Sequence, residues 1–183
     1  MSKDLQREII ESLPHLRAVA LLLCRDRSLA DDLVQEAVVR ALGHIHQFRS
    51  GTNLKAWIMT ILRNAFFSEM RRRKRASQFN GEMLWNGGAT SGGQEERLMM
   101  RDLERAFRML PSSQREAIIL VGASGYSYED AAQIADCAVG TMKSRVSRAR
   151  LQLELLLDGA GAPAAMPIAA AARMRIEERA RAS

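Results

Sequence analysis

The stretch YSYEDAAQIADCAVGTMKSRVSRAR, Tyr126 to Arg150, decides the fold. Its second half, continued a little further, places Val139, Met142, Val146, Ala149, Leu153 and Leu156 at steps of three and four residues, which gathers the apolar groups on one helical stripe. Thr141, Lys143, Ser144, Arg145, Ser147, Arg148 and Arg150 fall on the other faces, where guanidinium and hydroxyl groups can meet phosphate oxygens and major-groove base edges. The first half opens with Ser127 and Asp130 at capping-box spacing, and Tyr128, Ala131, Ile134 and Ala135 face inward behind them. Asp136-Cys137-Ala138 is a turn short enough for the steep crossing of a helix-turn-helix. A solvated basic helix in an ordinary bundle would carry the same charges, so the cationic face alone leaves both readings open.

Composition narrows the class. The chain has 183 residues, 47% of them hydrophobic but only 5% aromatic, a balance that favours packed helices over sheets. One or two small domains fit that length, and all-α is the expected class. A formal charge of +6 points to a polyanionic partner without separating nucleic acid from an anionic membrane. Cys24 and Cys137 are far apart and suggest neither a disulfide framework nor a metal site, which fits a reducing cytoplasm. Leu13 to Cys24 is the most hydrophobic run, but Pro14, His15 and Arg17 interrupt it and no cleavage site follows, so neither a signal peptide nor a membrane span is expected.

Two helical blocks flank a stretch of different composition. SQFNGEMLWNGGATSGGQ, Ser77 to Gln94, is rich in Gly, Ser, Asn and Thr, holds one charged residue and shows no period, as a flexible linker should. The expected division is therefore residues 1–76, linker 77–94, a second domain at 95–158, and an Ala/Gly/Pro-rich then charged tail at 159–183 that is expected to be disordered. Leu84 and Trp85 read as loosely anchored linker residues.

Four helices are expected in the first block. Lys3 to Glu11 makes one, and Ser12 with Pro14 restarts a second that turns Leu13, Leu16, Ala20 and Leu23 inward. Ser28 and Asp31 have the spacing to cap a third, with Leu33, Ala37, Ala41, Leu42 and Ile45 as core candidates. After the loop Arg49 to Leu54, a fourth carries Trp57, Ile58, Ile61, Leu62, Ala65 and Phe66 on its apolar face and runs into RRRKR, Arg71 to Arg75. From Arg63 to Arg75 there are six cations against a single acid, Glu69, a density that self-repels unless it lies on an anion such as phosphate. Asp31, Asp32, Gln35 and Glu36 are opposite in character and suit a basic protein partner. The alternative is a simple interaction of Asp31 and Asp32 with the positive end of their own helix.

These residues carry a resemblance. DDLVQE (Asp31 to Glu36), FRSGTNLKAWIMTILRNAFFSEMRRRKR (Phe48 to Arg75) and LPSSQREAIILV before the helix-turn-helix together resemble an extracytoplasmic-function sigma factor of bacterial RNA polymerase, over most of the chain. The resemblance implies two helical domains, sigma region 2 and sigma region 4, joined without a region 3. It assigns Asp31, Asp32, Gln35 and Glu36 to the clamp helices of the polymerase beta-prime subunit, and adds the beta flap as a second contact on the core enzyme. It assigns Arg49, Asn53, Lys55, Trp57, Arg63, Asn64, Arg71 and Arg72 to holding and melting the minus-ten promoter element. Melting requires a flipped base captured in a loop pocket, at a cost of a few kcal/mol of unstacking. The helical period, by contrast, places Trp57 in the core. Thr141, Lys143, Ser144, Arg145, Arg148 and Arg150 would meet the minus-thirty-five element, Arg150 through phosphate. One departure is Leu29, where many members have an aspartate.

LVGASGYSYEDAA (Leu120 to Ala132) and CAVGTMKSRVSRAR (Cys137 to Arg150) are similar to the EcfG-type general stress sigma factors of alphaproteobacteria. That resemblance implies an anti-sigma factor of the NepR type, itself relieved by a PhyR-type response regulator. PhyR proteins carry a sigma-like mimic domain, the main rival; a mimic needs neither the RRRKR run nor the DDLVQE patch, and both are present. A plain helix-turn-helix repressor would leave the acidic patch unexplained. Catalysis is not expected: His44 and His46 are two apart on a helix, no acidic cluster joins them or His15, and there is no Walker loop or GxSxG. No cofactor or metal is expected either.

Overall fold

The computed structural model describes residues 3–80 and 94–158, and every regular element among them is helical. The chain divides into two compact units, Met1–Gly88 and Ala89–Ser183. Trp85 and the tail 159–183 lie outside the described residues.

In the first unit α1 (Lys3–Cys24), α2 (Arg27–Gly43) and α3 (Leu54–Asn80) pack each against the other two. Leu16, Val19 and Ala20 of α1 meet Leu33, Ala37 and Ala41 of α2 and Ile58, Met59 and Leu62 of α3 in a core that water does not reach. Each of the larger side chains contributes on the order of 1.5–3 kcal/mol by that burial. Leu42, expected inside, is 41% exposed, because Ala41 takes the inward position on that turn.

The first two expected helices are one. Pro14 sits inside α1 rather than starting a new element. A proline removes one backbone donor and crowds the carbonyl four residues back, a local cost near 3 kcal/mol. Here the ring is on the exposed face, and the apolar stripe continues through it from Ile9 to Leu16 and Val19. Packing of that stripe overrides the local preference. Beside it the buried Ser12 hydroxyl donates to the Ile9 carbonyl at 2.7 Å, one more backbone group satisfied within the same turn.

The connection to α2 takes two residues. Arg25 adopts the left-handed conformation (φ 59°) with its N–H on the Leu21 carbonyl, which ends α1. Asp26 then caps α2 by accepting from the Leu29 N–H at 3.1 Å. The expected cap at Ser28 is displaced by two residues, since Asp26 already occupies the capping position and Ser28 falls inside the first turn. Leu29 is buried. A short 3-10 turn, Ile45–Gln47, leads to the loop before α3. α3 itself runs to Asn80, four residues into the stretch expected as linker.

The second unit holds α4 (Gln94–Met109), α5 (Ser112–Ala117) continued by a π-helical segment (Ile118–Ala123), α6 (Tyr128–Ile134) and α7 (Val139–Asp158). α4, α5 and α6 all pack on α7. Arg115 of α5 donates to the carbonyls of Arg108 and Leu110, tying the end of α4 to α5, and burial pushes its guanidinium pKa down. In the π segment the Ser124 N–H bonds the Ile119 carbonyl five residues back.

Candidate nucleic-acid interface

The helix pair forms as its spacing implies. The Ser127 hydroxyl accepts from the Asp130 N–H at 2.9 Å, which starts α6. Asp136 reverses the chain at φ 50°, a conformation aspartate tolerates better than most residues, and the Cys137 N–H returns to the Ala132 carbonyl at 3.0 Å. α7 begins at Val139, and Met142, Val146, Ala149 and Leu153 are fully or almost fully buried beneath it.

The residues left outward are the expected ones, sorted by the helical turn. Thr141, Ser144 and Arg148 are spaced by three and four residues and share one face. Lys143 and Arg150, seven apart, share a flank to within about 20°. Arg145, four residues after Thr141 and three before Arg148, lies beside the first face and is half-buried. Two of these groups have local commitments. The Ser144 hydroxyl donates to the Thr141 carbonyl at 2.9 Å, so only its lone pairs remain for a partner, and the Lys143 ammonium lies 5.8 Å from the centre of the Tyr128 ring. Leu151 and Leu155 continue the outward face at 59% and 66% exposure. Attention to charge alone passes over them.

On α3 several expected contact residues also build the helix. The Asn53 side chain caps it, accepting from the Ala56 N–H at 3.1 Å, while Gly51 (φ 88°) and a Thr52 hydroxyl bonded to the Arg49 carbonyl shape the loop before it. Arg49, Lys55 and Asn64 are exposed. Trp57 is not fully in the core: it is half-buried with its ring 5.5 Å from that of Phe48. Lys55 and burial together hold the pKa of His15 on α1 below its usual value, burial being the larger cause. The Arg63 guanidinium lies 4.8 Å over the Phe67 ring and donates to the Asn64 side chain. Arg71 to Arg75 are all exposed. Arg71 donates to the Ser68 hydroxyl at 3.0 Å, whereas Arg72 and Arg73 both donate to Glu69.

α2 presents the opposite charge. Asp32, Gln35 and Glu36 are exposed on it, and Val39 and Leu42 extend the same side of the helix. Asp31 is held by Arg17 of α1 through two contacts, at 2.6 and 2.9 Å, and Glu36 pairs with Arg40. Asp32 makes no ion pair among the described residues. The helix-end explanation of these acids fails on position. α2 has no acid in its first turn, and the dipole effect fades beyond that turn.

Among the described residues no three His, Cys, Asp or Glu side chains are grouped to hold a metal ion, and no helix is long and apolar enough to cross a membrane. His44 and His46 have ring centres 6.3 Å apart, and His44 is bonded to the Arg40 carbonyl.

Residues 9–76, which hold α2 and most of α3, match the family model of sigma-70 region 2, and residues 100–153, which hold the helix pair, match that of sigma-70 region 4. The sigma factor EcfG of Rhodopseudomonas palustris is 48% identical over 162 residues, 87% of this chain and 90% of its own. The chain belongs to the extracytoplasmic-function RNA polymerase sigma factors. Members of this family are transcription initiation factors rather than catalysts. The same level of identity, 48%, relates this sigma factor to RpoE of Bartonella quintana, solved in complex with the anti-sigma factor NepR; the match has a TM-score of 0.77 and covers 86% of this chain and 98% of that one. The complex of PhyRSL with NepR from Sphingomonas sp. Fr1 shares the fold at 19% identity, with a TM-score of 0.62 over 84% and 88% of the two chains.

Proposed function

We propose that this sigma factor docks on the beta-prime clamp helices through Asp31, Asp32, Gln35 and Glu36 of α2, and that it engages promoter DNA at two places. The loop and helix from Arg49 through Asn53, Lys55, Trp57, Arg63 and Asn64 to Arg71 and Arg72 would hold the minus-ten element, and Thr141, Lys143, Ser144, Arg145, Arg148 and Arg150 the minus-thirty-five element. The observation that carries this is the presence in one chain of an exposed acidic and amide face on α2 and two exposed cationic helices, α3 and α7. A repressor has no use for the first, and a mimic has no use for the DNA-facing charge.

The initiation step takes place on the nucleoid, in the cytoplasm. Its control is proposed to run through an anti-sigma factor of the NepR type, released by a PhyR-type regulator under general stress. Support comes from the 48% identity to a chain solved with NepR. Runoff transcription with purified core polymerase on a genomic promoter library tests the whole reading. Promoter-specific transcripts that appear only with this chain, and disappear on adding a NepR-type protein, are the expected result; a chain that captures the anti-sigma factor but starts no transcript would be a mimic.

A further inference from the structure

The single acid in the cationic run of α3 is placed to act on the cations themselves. Glu69 lies one turn before Arg72 and Arg73, and its carboxylate accepts from Arg72 at 2.7 and 3.0 Å and from Arg73 at 2.7 Å. The Glu69 side chain is only 15% exposed, against 75% and 50% for the two arginines. Its hydrogen bonds with both guanidiniums hold its pKa down to about 2, so it stays anionic wherever the protein is folded and working. A carboxylate engaged in this way offers a guanidinium the same paired oxygens that a DNA phosphate does. The neighbours are different: Arg71 leans on a neutral hydroxyl, and Arg75 makes no ion pair among the described residues.

We propose that Glu69 is a positioning residue that occupies Arg72 and Arg73 as an internal stand-in for phosphate, so that α3 offers nonspecific DNA fewer free cations than its sequence contains. This rests on the reading that α3 lies on DNA. Nonspecific affinity is almost wholly counterion release, and it grows with the number of phosphates neutralised. Exposed ion pairs are weak and exchange readily. The restraint therefore filters encounters rather than blocking them: a promoter held in register by other contacts can take the arginines from Glu69, and loosely bound duplex takes them less often.

Salt dependence reads this directly. Binding of the full chain to a labelled duplex of scrambled promoter sequence is followed by fluorescence anisotropy across a salt series, where each phosphate contact adds about 0.9 to the log–log slope. Glu69→Gln is expected to steepen the slope by about one to two contacts and to tighten binding at low salt. Glu8→Gln, an exposed acid on α1, controls for net charge. Arg72→Gln and Arg73→Gln are each expected to lower the slope by about one contact in the Glu69→Gln background and by clearly less in the parent. Equal losses in both backgrounds, or a Glu69→Gln slope no steeper than that of Glu8→Gln, overturn the proposal. Arg75→Gln separates the two levels. A slope it leaves untouched means that α3 is not on DNA at all, whereas a lowered slope with no effect of Glu69→Gln removes only the role of Glu69.

Discussion

α3 and α7 carry cations at similar density and differ in what those cations already touch. On α3, Arg72 and Arg73 share the carboxylate of Glu69, and Arg63 rests on the Phe67 ring. On α7, Arg145, Arg148 and Arg150 make no ion pair among the described residues. Counting charge along a sequence treats the two helices alike. The charge available to DNA is set by which cations an acid on the same helix already holds, and the two helices differ there: Glu69 holds two on α3, whereas Glu154, four residues after Arg150, makes no ion pair among the described residues. A helix that reads base edges gains from side chains already free of partners, since bidentate contacts reward geometry. A helix that tracks an opened strand gains from restraint, because its phosphate contacts carry little sequence information of their own.

The comparison can be broken at its foundation first. α7 presents its arginines only while its buried stripe holds, and Leu153→Ala empties a fully buried position at the centre of the second unit. A loss of about 2–5 kcal/mol is expected, measured by urea unfolding followed by circular dichroism; a change well under about 1 kcal/mol would mean the stripe is not what orients the helix. Next in size is Arg148→Ala. Removing one good base contact is expected to cost about 1–3 kcal/mol of discrimination, read as roughly five- to hundredfold weaker binding to the cognate promoter in a gel shift. Unchanged affinity for both Arg148→Ala and Arg145→Ala would put the reading face elsewhere on the helix.

The smallest effect sharpens the other side of the comparison. The folded pKa of Glu69 is lowered, from 4.5 to about 2, by its hydrogen bonds to Arg72 and Arg73. Its contribution to stability is therefore present above the ordinary carboxylate range and is lost as pH falls from near 4.5 toward 2. Thermal unfolding midpoints across that window are expected to fall slightly more for the parent than for Glu69→Gln. Parallel curves would show that the clamp does not persist in solution. The effect is small because both arginines are largely exposed, where water screens the pair.

Much of this was legible in the sequence. Met142, Val146, Ala149 and Leu153 of the stripe under α7 are legible there, as is the Ser127 cap, because periodicity and capping are local; Val139 and Leu156, at the two ends of the expected stripe, are only half-buried. Longer-range choices were less visible. Pro14 signals a helix start in isolation, and only the packing of Leu16 and Val19 against two other helices keeps α1 continuous. Asp26 and Ser28 are both good caps, and two residues of spacing do not say which wins. The roles of the site residues were harder still. Asn53 reads as a DNA contact but also caps α3, and Asp31 reads as a docking acid but is gripped by Arg17. The Arg17–Asp31 pairing depends on where side chains fourteen residues apart come to lie, which no local pattern encodes.

The π-helical segment Ile118–Ala123 has a further consequence. Its wider winding accommodates one more residue than an α-helix would over the same rise, and the surplus is absorbed before the chain enters the helix pair. Ile118, Ile119 and Leu120 are buried in succession across it. Winding the same residues at α pitch would instead turn everything downstream by about 100° relative to α5. The segment is accordingly constrained in its length more than in its letters: it works as a spacer whose unit is a single residue, setting the angle at which the helix pair leaves the rest of its domain.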